Sequence, residues 1–399
     1  MSQVEVDKVI PQSGTTLTIG DSGDTINLVG TLQNNGSPLP GDITSVVAGT
    51  GLSGGGTSGD VTLNVEAAQS GITSLGTLTA LTVNGNLSVD GGTIKLDGPF
   101  PTGTQNTALG NDTLASGSLS GGYNTAVGES ALKTNTSGAA NAAFGRDALE
   151  LNTTGCQNTA LGQNSMYTNT TGDFNTAVGR EALYSNETAD NNIAVGNCAL
   201  KANTTGTASV AIGPQALKAH TTGGNNIAIG LCSGLKTTTG FQNFSAGSFS
   251  LCNNTTGCKN VAIGQSAMKA STTGCFNVGI GMGSLALHET ADGNTAVGAC
   301  SMASTTTGAS NVAVGYLSLD ANTTGASNIS IGRGSLGANT TASNNVAIGD
   351  LALVANTTGA QNVAVGAAAG DAVTTGSNNV ALGYEAAGKL TTGGDNVAI

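Results

Sequence analysis

A five-residue motif that recurs at a fixed interval constrains this chain more than any other feature. The motif is Asn, then Thr, Val or Ile, then Ala, then Val, Ile or Leu, then Gly, and it first appears at Asn106 and Asn124. From Asn124 to Asn396 it returns every 17 residues without a slip, with Ser209 in place of one Asn, which gives eighteen copies in all. A fixed period of this kind is typical of repeat architectures, in which each unit packs on its neighbours.

The repeat unit is too short for a helical hairpin and has the length of one coil of a β-solenoid. It reads N-[TVI]-A-[VIL]-G-x-x-[AS]-L-x-x-N-T-T-G-x-x, and positions within a rung are counted below from the Asn as position 1. Alternate residues of a strand point to opposite faces, so Val261 and Ile263 share one face and Ala262 takes the other. We expect the β-branched pair inside the coil, and the small Ala face outside, where another chain can approach closely.

Three further elements complete the predicted coil. Gly follows the strand in every copy that reaches position 5, which indicates a positive φ or a close backbone approach. Asn-Thr-Thr-Gly at positions 12 to 15 is predicted to close the coil, because Asn and Gly accept left-handed conformations and Thr hydroxyls satisfy local backbone groups. Three copies end in Ala189, Ala291 or Ala342, so Gly is preferred there without being obligatory. The rest of the core is assigned to Leu or Met at position 9, in Leu132, Leu149, Met166, Leu183, Leu200, Leu251, Met268 and Leu319.

The predicted fold is all-β, an elongated parallel β-roll or β-solenoid of 17-residue rungs preceded by short β-rich N-terminal modules. The rod takes residues 101–399 and, with rungs about 4.8 Å apart, is on the order of 80 Å long. The sequence stops at Ile399, one residue before the Gly of the last motif. We therefore expect the chain to be a fragment of a longer fibre that continues with more rungs and a cap.

The first hundred residues have a different pattern. Residues 1–40 contain two short alternating stretches, at 15–19 and 25–29, without a core of their own, so this segment is predicted to be flexible or held by a partner. Residues 41–100 are predicted to form a small β-rich connector. Its elements are two strands flanking a Gly-rich turn in 42–65 and short strands in 72–96, with turns at Asn84-Gly85 and Asp90-Gly91-Gly92.

Composition excludes several classes of protein. The chain has no Trp, five Tyr and seven Phe among 399 residues, which is too few for a conventional globular core. Its 24 acidic and 12 basic residues give a net charge of −12, and nucleic-acid binding needs a basic footprint instead. The sequence shows neither a secretion signal at its start nor an apolar stretch of about 18 residues, so we expect cytoplasmic folding without membrane insertion.

The sequence also argues against an enzyme. A polysaccharide-cleaving solenoid needs two acidic groups about 5 to 10 Å apart and usually aromatic platforms for the sugar. The acids of this chain are single and dispersed, and a solvated corner explains those that follow the motif Gly, namely Glu129, Asp147, Glu181, Asp350 and Glu385. We therefore predict no catalytic residue, no cofactor-binding residue and no metal ligand.

Two His and two Cys stand out by their positions. His220 and His288 each replace the Asn of the Asn-Thr-Thr-Gly turn, four rungs or roughly 19 Å apart, so they cannot share a metal within one chain. Solvated turn residues are the favoured interpretation, and convergence of three copies on an ion at a trimer axis is the alternative. Cys258 and Cys275 occupy equivalent positions in adjacent rungs, where either a disulfide or a pair of stacked thiols fits, and we favour the thiols.

Three other patterns indicate ligands only weakly. The runs Gly54–Gly56 and Gly223-Gly224 lack the following Lys-Ser or Lys-Thr of a phosphate loop. Calcium-binding solenoids need Asp at fixed rung positions, which these rungs lack. Thr pairs such as Thr153-Thr154 and Thr323-Thr324 would stack into hydroxyl ladders like those of ice-binding solenoids, but turn chemistry explains the same residues.

The motif resembles a known family. Asn-Val-Ala-Ile-Gly, at Asn260–Gly264 and Asn345–Gly349, closely resembles the head repeat of trimeric autotransporter adhesins of the YadA type. The resemblance covers residues 106–399 and implies a left-handed parallel β-roll assembled as a homotrimer. The chain departs from that family in its longer period of 17 residues, and the secretion signal and membrane anchor are not in view.

A second resemblance concerns the N-terminal segment, in Val9–Leu17 and Ile43–Val65, which looks like the start of tail-fibre proteins of tailed phages, especially marine ones. It implies that residues 1–40 dock onto a tail or baseplate protein of the virion and that a distal region binds a host cell-surface receptor. The leading hypothesis is a homotrimeric tail fibre of the virion, assembled in the host cytoplasm. The alternatives are a bacterial trimeric surface adhesin head and, third, a monomeric ice-binding or surface-layer solenoid.

Overall fold

The structure is a computed structural model that describes residues 33–34, 37–38, 46–47, 52–56, 63–65 and 105–399. The chain divides into two compact units, Met1–Thr93 and Ile94–Ile399. The predicted alternating stretches at 15–19 and 25–29 and the predicted strands in 72–96 lie outside the described residues, as does most of the predicted attachment segment 1–40.

The first unit contains short antiparallel pairings. Strand β1 (Gln33–Asn34) pairs with β2 (Ser37–Pro38). Strand β4 (Leu52–Gly56) pairs through one end with β3 (Val46–Val47) and through the other with β5 (Leu63–Val65). The prediction of a Gly-rich turn between two strands is wrong here, because the run of three Gly belongs to β4 itself.

The second unit is built from eighteen short strands, one in each rung. They are β6 (Thr107–Leu109), β7 (Thr125–Val127), β8 (Ala142–Phe144), β9 (Thr159–Leu161), β10 (Thr176–Val178), β11 (Ile193–Val195), β12 (Val210–Ile212), β13 (Ile227–Ile229), β14 (Phe244–Ala246), β15 (Val261–Ile263), β16 (Val278–Ile280), β17 (Thr295–Val297), β18 (Val312–Val314), β19 (Ile329–Ile331), β20 (Val346–Ile348), β21 (Val363–Val365), β22 (Val380–Leu382) and β23 (Val397–Ala398).

Each of these strands pairs in parallel with the strand of the next rung. Equivalent positions face one another, as Ala177 faces Ala194 between β10 and β11. The rest of each coil is turn, and the part of the chain that the structure describes contains no helix. The predicted all-β solenoid of 17-residue turns is therefore confirmed for residues 107–398.

The strands face the opposite way from the prediction. Ala262 is fully buried, whereas Ile263 is 36% exposed and Val261 is partly exposed. The same holds along the rod, because position 3 lies inside the coil and positions 2 and 4 point outward. The expectation that β-branched side chains fill the core is wrong, and the outer face of the sheet is apolar.

The reason is the narrowness of the coil. Leu or Met at position 9 is fully buried, as predicted, and packs with the Ala of position 3 in one continuous core. Gly279 stands at position 3 in one rung, and even a methyl group there would lie 2.9 Å from Cγ of Met268. The space opposite a long side chain is therefore narrow, and position 3 is Ala, Ser or Gly in every rung, never Val or Ile.

Two columns of buried Asn side chains run along the rod. At position 1, Oδ1 of Asn158 accepts a hydrogen bond of 3.0 Å from the backbone N–H of Asn175 in the next rung. At position 12, Nδ2 of Asn169 donates to Oδ1 of Asn152 at 2.8 Å. Both columns donate to the same carbonyl at position 15, since Nδ2 of Asn158 and of Asn169 lie 2.8 and 3.1 Å from O of Gly172. These amides join neighbouring rungs and close each coil.

The turn Asn-Thr-Thr-Gly acts differently from its prediction in one respect. The predicted role of Thr is confirmed at position 13, because Oγ1 of Thr153 donates to the carbonyl of Thr170 at 2.9 Å. The Asn of position 12 has no left-handed φ, however, and serves through its buried amide. Left-handed backbone occurs instead at positions 7, 9 and 17, as at Asn164, Met166 and Phe174.

The Gly of position 5 behaves as predicted. Its φ lies between +124° and +140° throughout, a region that side chains rarely enter. The rungs also approach too closely for any side chain, because a Cβ on Gly264 would lie 2.5 Å from the carbonyl oxygen of Gly281. Gly is therefore required at position 5 for two reasons: its φ is positive, and the next rung leaves no room for a Cβ.

The double requirement at position 5 predicts unequal effects for two Gly-to-Ala substitutions in adjacent rungs. Gly264→Ala should lower the free energy of unfolding by about 3 kcal/mol or more, because both the φ and the backbone contact oppose a side chain. Gly283→Ala is the control, since φ is +65° there and the nearest atom is Sγ of Cys300 at 3.6 Å. It should cost about 1 kcal/mol. Urea unfolding followed by circular dichroism measures both, and equal losses would show that the rung above Gly264 does not restrict it.

Candidate functional site

The acidic side chains of the rungs are dispersed, as the sequence indicates. Several pair with a neighbouring cation: Oε1 of Glu181 lies 2.6 Å from Nη2 of Arg180, and Oδ2 of Asp350 lies 2.8 Å from Nη2 of Arg333. Glu181 also contacts Nζ of Lys201 at 2.6 Å, and the hydrogen bond from Lys201 lowers the pKa of its carboxyl. Glu129 and Glu385 are exposed, whereas Glu181 is only partly exposed.

The two His are buried, so the prediction of solvated turn residues is wrong. Each takes the place of an Asn in the position-12 column. His220 is held by Asn203 and Asn226, because Nδ1 lies 3.0 Å from Oδ1 of the first and Nε2 lies 3.1 Å from Nδ2 of the second. These contacts require a proton on Nδ1 and a lone pair on Nε2, which is the neutral imidazole. Burial lowers the pKa of His220 to about 4.

His288 is less well satisfied. Its Nε2 donates to the carbonyl oxygen of Ala291 at 2.7 Å, whereas Nδ1 is buried without a partner. Burial lowers the pKa of this imidazole, whereas the hydrogen bond to the carbonyl of Ala291 acts in the opposite direction. The column is interrupted around it, since Oγ of Ser271 and Oγ1 of Thr305, in the rungs on either side, are also buried without partners.

The structure has all seven Cys as free thiols. Cys258 and Cys275 lie at equivalent positions of adjacent rungs, with their Sγ atoms 2.7 Å apart. Burial and the hydrogen bond with Cys275 raise the pKa of Cys258 to about 11. Because thiolate is the reactive form, the thiol of Cys258 is poorly reactive near neutral pH.

The Thr side chains at position 13 form hydrogen bonds with the backbone of the next rung. The hydroxyl at position 13 donates to a carbonyl of the next rung in most of the rungs that carry Thr there, as Thr255 does to Thr272 at 3.0 Å. The hydroxyl at position 14 is exposed, as in Thr154. One of the two predicted ladders is therefore used for rung stacking, which favours the turn interpretation of Asn-Thr-Thr-Gly over an ice-binding face.

An apolar face runs along the outside of the sheet. We call it the strand face and define it as positions 2 and 4 of every rung. Position 4 is apolar in all eighteen copies, whereas position 3 between them is Ala, Ser or Gly. Position 4 is also substantially exposed in a single chain, in Leu109, Phe144, Leu161, Ile212, Ile229, Ile263, Val314, Ile331, Ile348, Val365 and Leu382.

A second surface lies on the opposite side of the coil. The residue at position 9 reaches the strand across the core, so position 10 emerges on the side away from the strand face. There the rings of Tyr167 and Tyr184 stack at 5.2 Å, and Nζ of Lys201 lies 5.6 Å from the ring centre of Tyr184. A groove of about 470 Å³ follows, lined by Ser185, Lys201, Ala202, Gln215, Lys218, Ala219, Leu235 and Lys236. We call it the lysine groove.

The sequence carries a signal for this groove in its charge distribution, outside the repeat motif. Residues 191–288, 98 in number, contain five Lys and no Asp, Glu or Arg. The other 301 residues hold all 24 acidic residues and seven basic ones. The net charge is thus +5 in that stretch and −17 elsewhere, a contrast that the overall value of −12 conceals.

Another groove, of about 500 Å³, lies on the last complete rungs and has Asp371, Glu385 and Lys389 in its lining, a mixture of charges that indicates no ligand class. Among the described residues, no three His, Cys, Asp or Glu side chains come close enough to hold a metal ion, and no helix could cross a bilayer. Comparison with known proteins finds no match among family models, curated proteins or solved structures.

The buried His predict a specific dependence of stability on pH. The folded pKa of His220, about 4, lies below the ordinary value of 6.5, so the folded state binds the proton less readily than the unfolded state. Its contribution is complete above about pH 6.5 and is lost as the pH falls toward 4, which amounts to about 3 kcal/mol. His288 acts in the same direction.

The test is urea unfolding of the wild type and of the double variant His220→Asn/His288→Asn at several pH values from 7 to 4. Asn restores the residue that most rungs carry at position 12, so the variant should fold. Carboxyl groups titrate in both proteins, and the difference between the two curves isolates the imidazoles. We expect the wild type to lose more stability than the variant below pH 6.5, and parallel curves would contradict the assignment.

Proposed function

We propose that this protein is a structural fibre of a tailed-phage virion and not an enzyme. Three copies associate through their strand faces to form the rod. Residues 1–40 dock onto a tail or baseplate protein, and a distal region binds a receptor on the host cell. The rod holds these two functions apart, and the fibre is assembled in the host cytoplasm.

The observation that carries the proposal is the strand face. Apolar patches larger than a few hundred Å² are rare on the surface of soluble monomers and mark interaction sites. Here the side chain at position 4 is apolar in every rung, and many of these side chains are substantially exposed, Ile212 and Ile229 among them at 40% each. In a coil that stood alone, these apolar side chains would remain in contact with water.

The periodicity of the strand face indicates what covers it. The apolar side chains repeat once per rung, at about 4.8 Å, over the whole length of the sheet. A partner that matches such a surface needs the same period, and another copy of the chain has it. A trimer is the assembly implied by the resemblance of Asn-Val-Ala-Ile-Gly to adhesin heads, and three coils in register would enclose the strand faces in a common core.

A bacterial trimeric adhesin head is the second candidate, favoured by the same motif. The two candidates share the trimeric rod and differ in how the chain leaves its cell of origin. The complete gene discriminates between them, since a secretion signal or a C-terminal membrane barrel would overturn the phage proposal. The resemblance of residues 9–17 and 43–65 to phage tail-fibre proteins gives the phage fibre precedence.

The association is tested by light scattering on the 399-residue chain. We expect a mass near three times the 38.6 kDa of one chain. The double variant Ile229→Lys/Ile263→Lys should shift the mass toward one chain, because charges on adjoining strand faces would be buried together without partners.

The matched control is Leu287→Lys/Val354→Lys, which adds the same charge at positions 11 and 10, away from the strand face. It should keep the mass of the wild type. A single-chain mass for the wild type would overturn the trimer, and equal masses for the two variants would overturn the assignment of the interface. Circular dichroism confirms that each variant retains its sheet.

A further inference from the structure

We infer that the lysine groove binds an acidic polysaccharide along the side of the rod. The inference rests on the proposed fibre function for its meaning, because a fibre that meets a cell surface meets such polymers there. It adds a lateral site on the rod to the distal receptor-binding region. Rungs 5 to 8 of the eighteen form the groove, and rungs 6 to 8 contribute Lys201, Lys218 and Lys236 in succession.

Two of the three positive charges in the groove are uncompensated. Lys218 and Lys236 form no ion pair among the residues that the structure describes, and no Asp or Glu lies in the sequence from residue 191 to 288. Lys201 and Lys218 occupy the same position of adjacent rungs, about 4.8 Å apart along the rod. Because Lys201 is paired with Glu181, an anion that enters the groove meets the unpaired charges of Lys218 and Lys236 on successive rungs.

The ammonium group of Lys201 is held in place by two contacts. Its Nζ contacts Oε2 of Glu181 at 2.6 Å and lies over the ring of Tyr184. The hydrogen bond with Glu181 raises the pKa of this lysine. The Tyr167–Tyr184 stack continues the row and supports Lys201 from the side of the preceding rung. The groove thus has one fixed cation at its edge and two unpaired cations beyond it.

The other lining residues favour a carbohydrate over a nucleic acid. Ser185 and Gln215 offer neutral hydrogen-bonding groups, which suit sugar hydroxyls, in a concave site of about 470 Å³. The inner faces of the two Tyr rings cover each other and Lys201 lies over Tyr184, which leaves little ring surface for stacked bases.

The groove and the proposed trimer interface are compatible. Position 10 emerges on the side of the coil away from the strand face, so three copies that cover their strand faces leave three lysine grooves on the outside of the rod. Equivalent grooves on one rod can engage one long polymer or several neighbouring ones. Multivalent contact of this kind strengthens binding beyond the affinity of one groove.

The experiment measures binding of the 399-residue chain to immobilised heparin, the probe for an acidic polysaccharide, with neutral dextran as its counterpart. We expect binding to heparin that weakens with salt, and none to dextran. Lys218→Gln/Lys236→Gln should weaken heparin binding at least about tenfold and lower the slope of log affinity against log salt by roughly two. Lys259→Gln/Lys389→Gln, which removes the same charge outside the groove lining, should bind like the wild type.

Four outcomes would overturn the inference: no binding to heparin, equal binding to dextran, an equal loss in the two variants, or tighter binding to a single-stranded oligonucleotide than to heparin. The last would assign the groove to nucleic acid instead. The mass of each sample is measured alongside. A trimer that does not bind heparin would overturn this inference and leave the fibre proposal intact. A monomer that binds heparin through Lys218 and Lys236 would overturn the proposed trimer and support the assignment of the groove.

Discussion

The structure depends on the width of its core, which is one long side chain and one methyl group. Leu or Met at position 9 fills the coil, and only Ala, Ser or Gly fits opposite on the strand. Where Ser occupies position 3, its hydroxyl forms a hydrogen bond with another buried Ser, as Oγ of Ser330 lies 2.7 Å from Oγ of Ser318. Because so little apolar surface is buried in each rung, the stacking must gain stability from other contacts.

Buried amides and hydroxyls supply those contacts. The Asn columns and the Thr hydroxyls repeat the same hydrogen bonds in rung after rung, so each coil is joined to the next by side chains as well as by the strand ladder. A substitute in a column of this kind continues the hydrogen bonds only if it satisfies both neighbours. His220 does so by means of its two ring nitrogens, whereas Ser271 and Thr305 leave buried oxygen atoms without partners.

The period, the parallel stacking and the buried Leu and Met follow from the sequence, because a repeat of 17 residues leaves few alternatives. The orientation of the strand does not follow, since alternation separates Val261 and Ile263 from Ala262 without saying which side is inside. The general preference of β-branched residues for cores gives the wrong answer here, because it ignores the space that Met268 occupies. The burial of His220 is missed for a similar reason: a turn motif indicates a surface, while the first residue of this one is part of the core.

The orientation of the strand bears directly on function. If Val and Ile were inside, the outside of the strand would be a face of small Ala side chains, without large apolar side chains in contact with solvent. With Ala inside, every rung presents an apolar side chain at position 4 on one side, next to an apolar residue or Thr at position 2, and the lysines of rungs 6 to 8 lie on the other side. A narrow core therefore forces the large side chains outward and makes the coil two-sided: one side carries an at least partly exposed apolar side chain at position 4 of every rung, and the other carries the lysine groove.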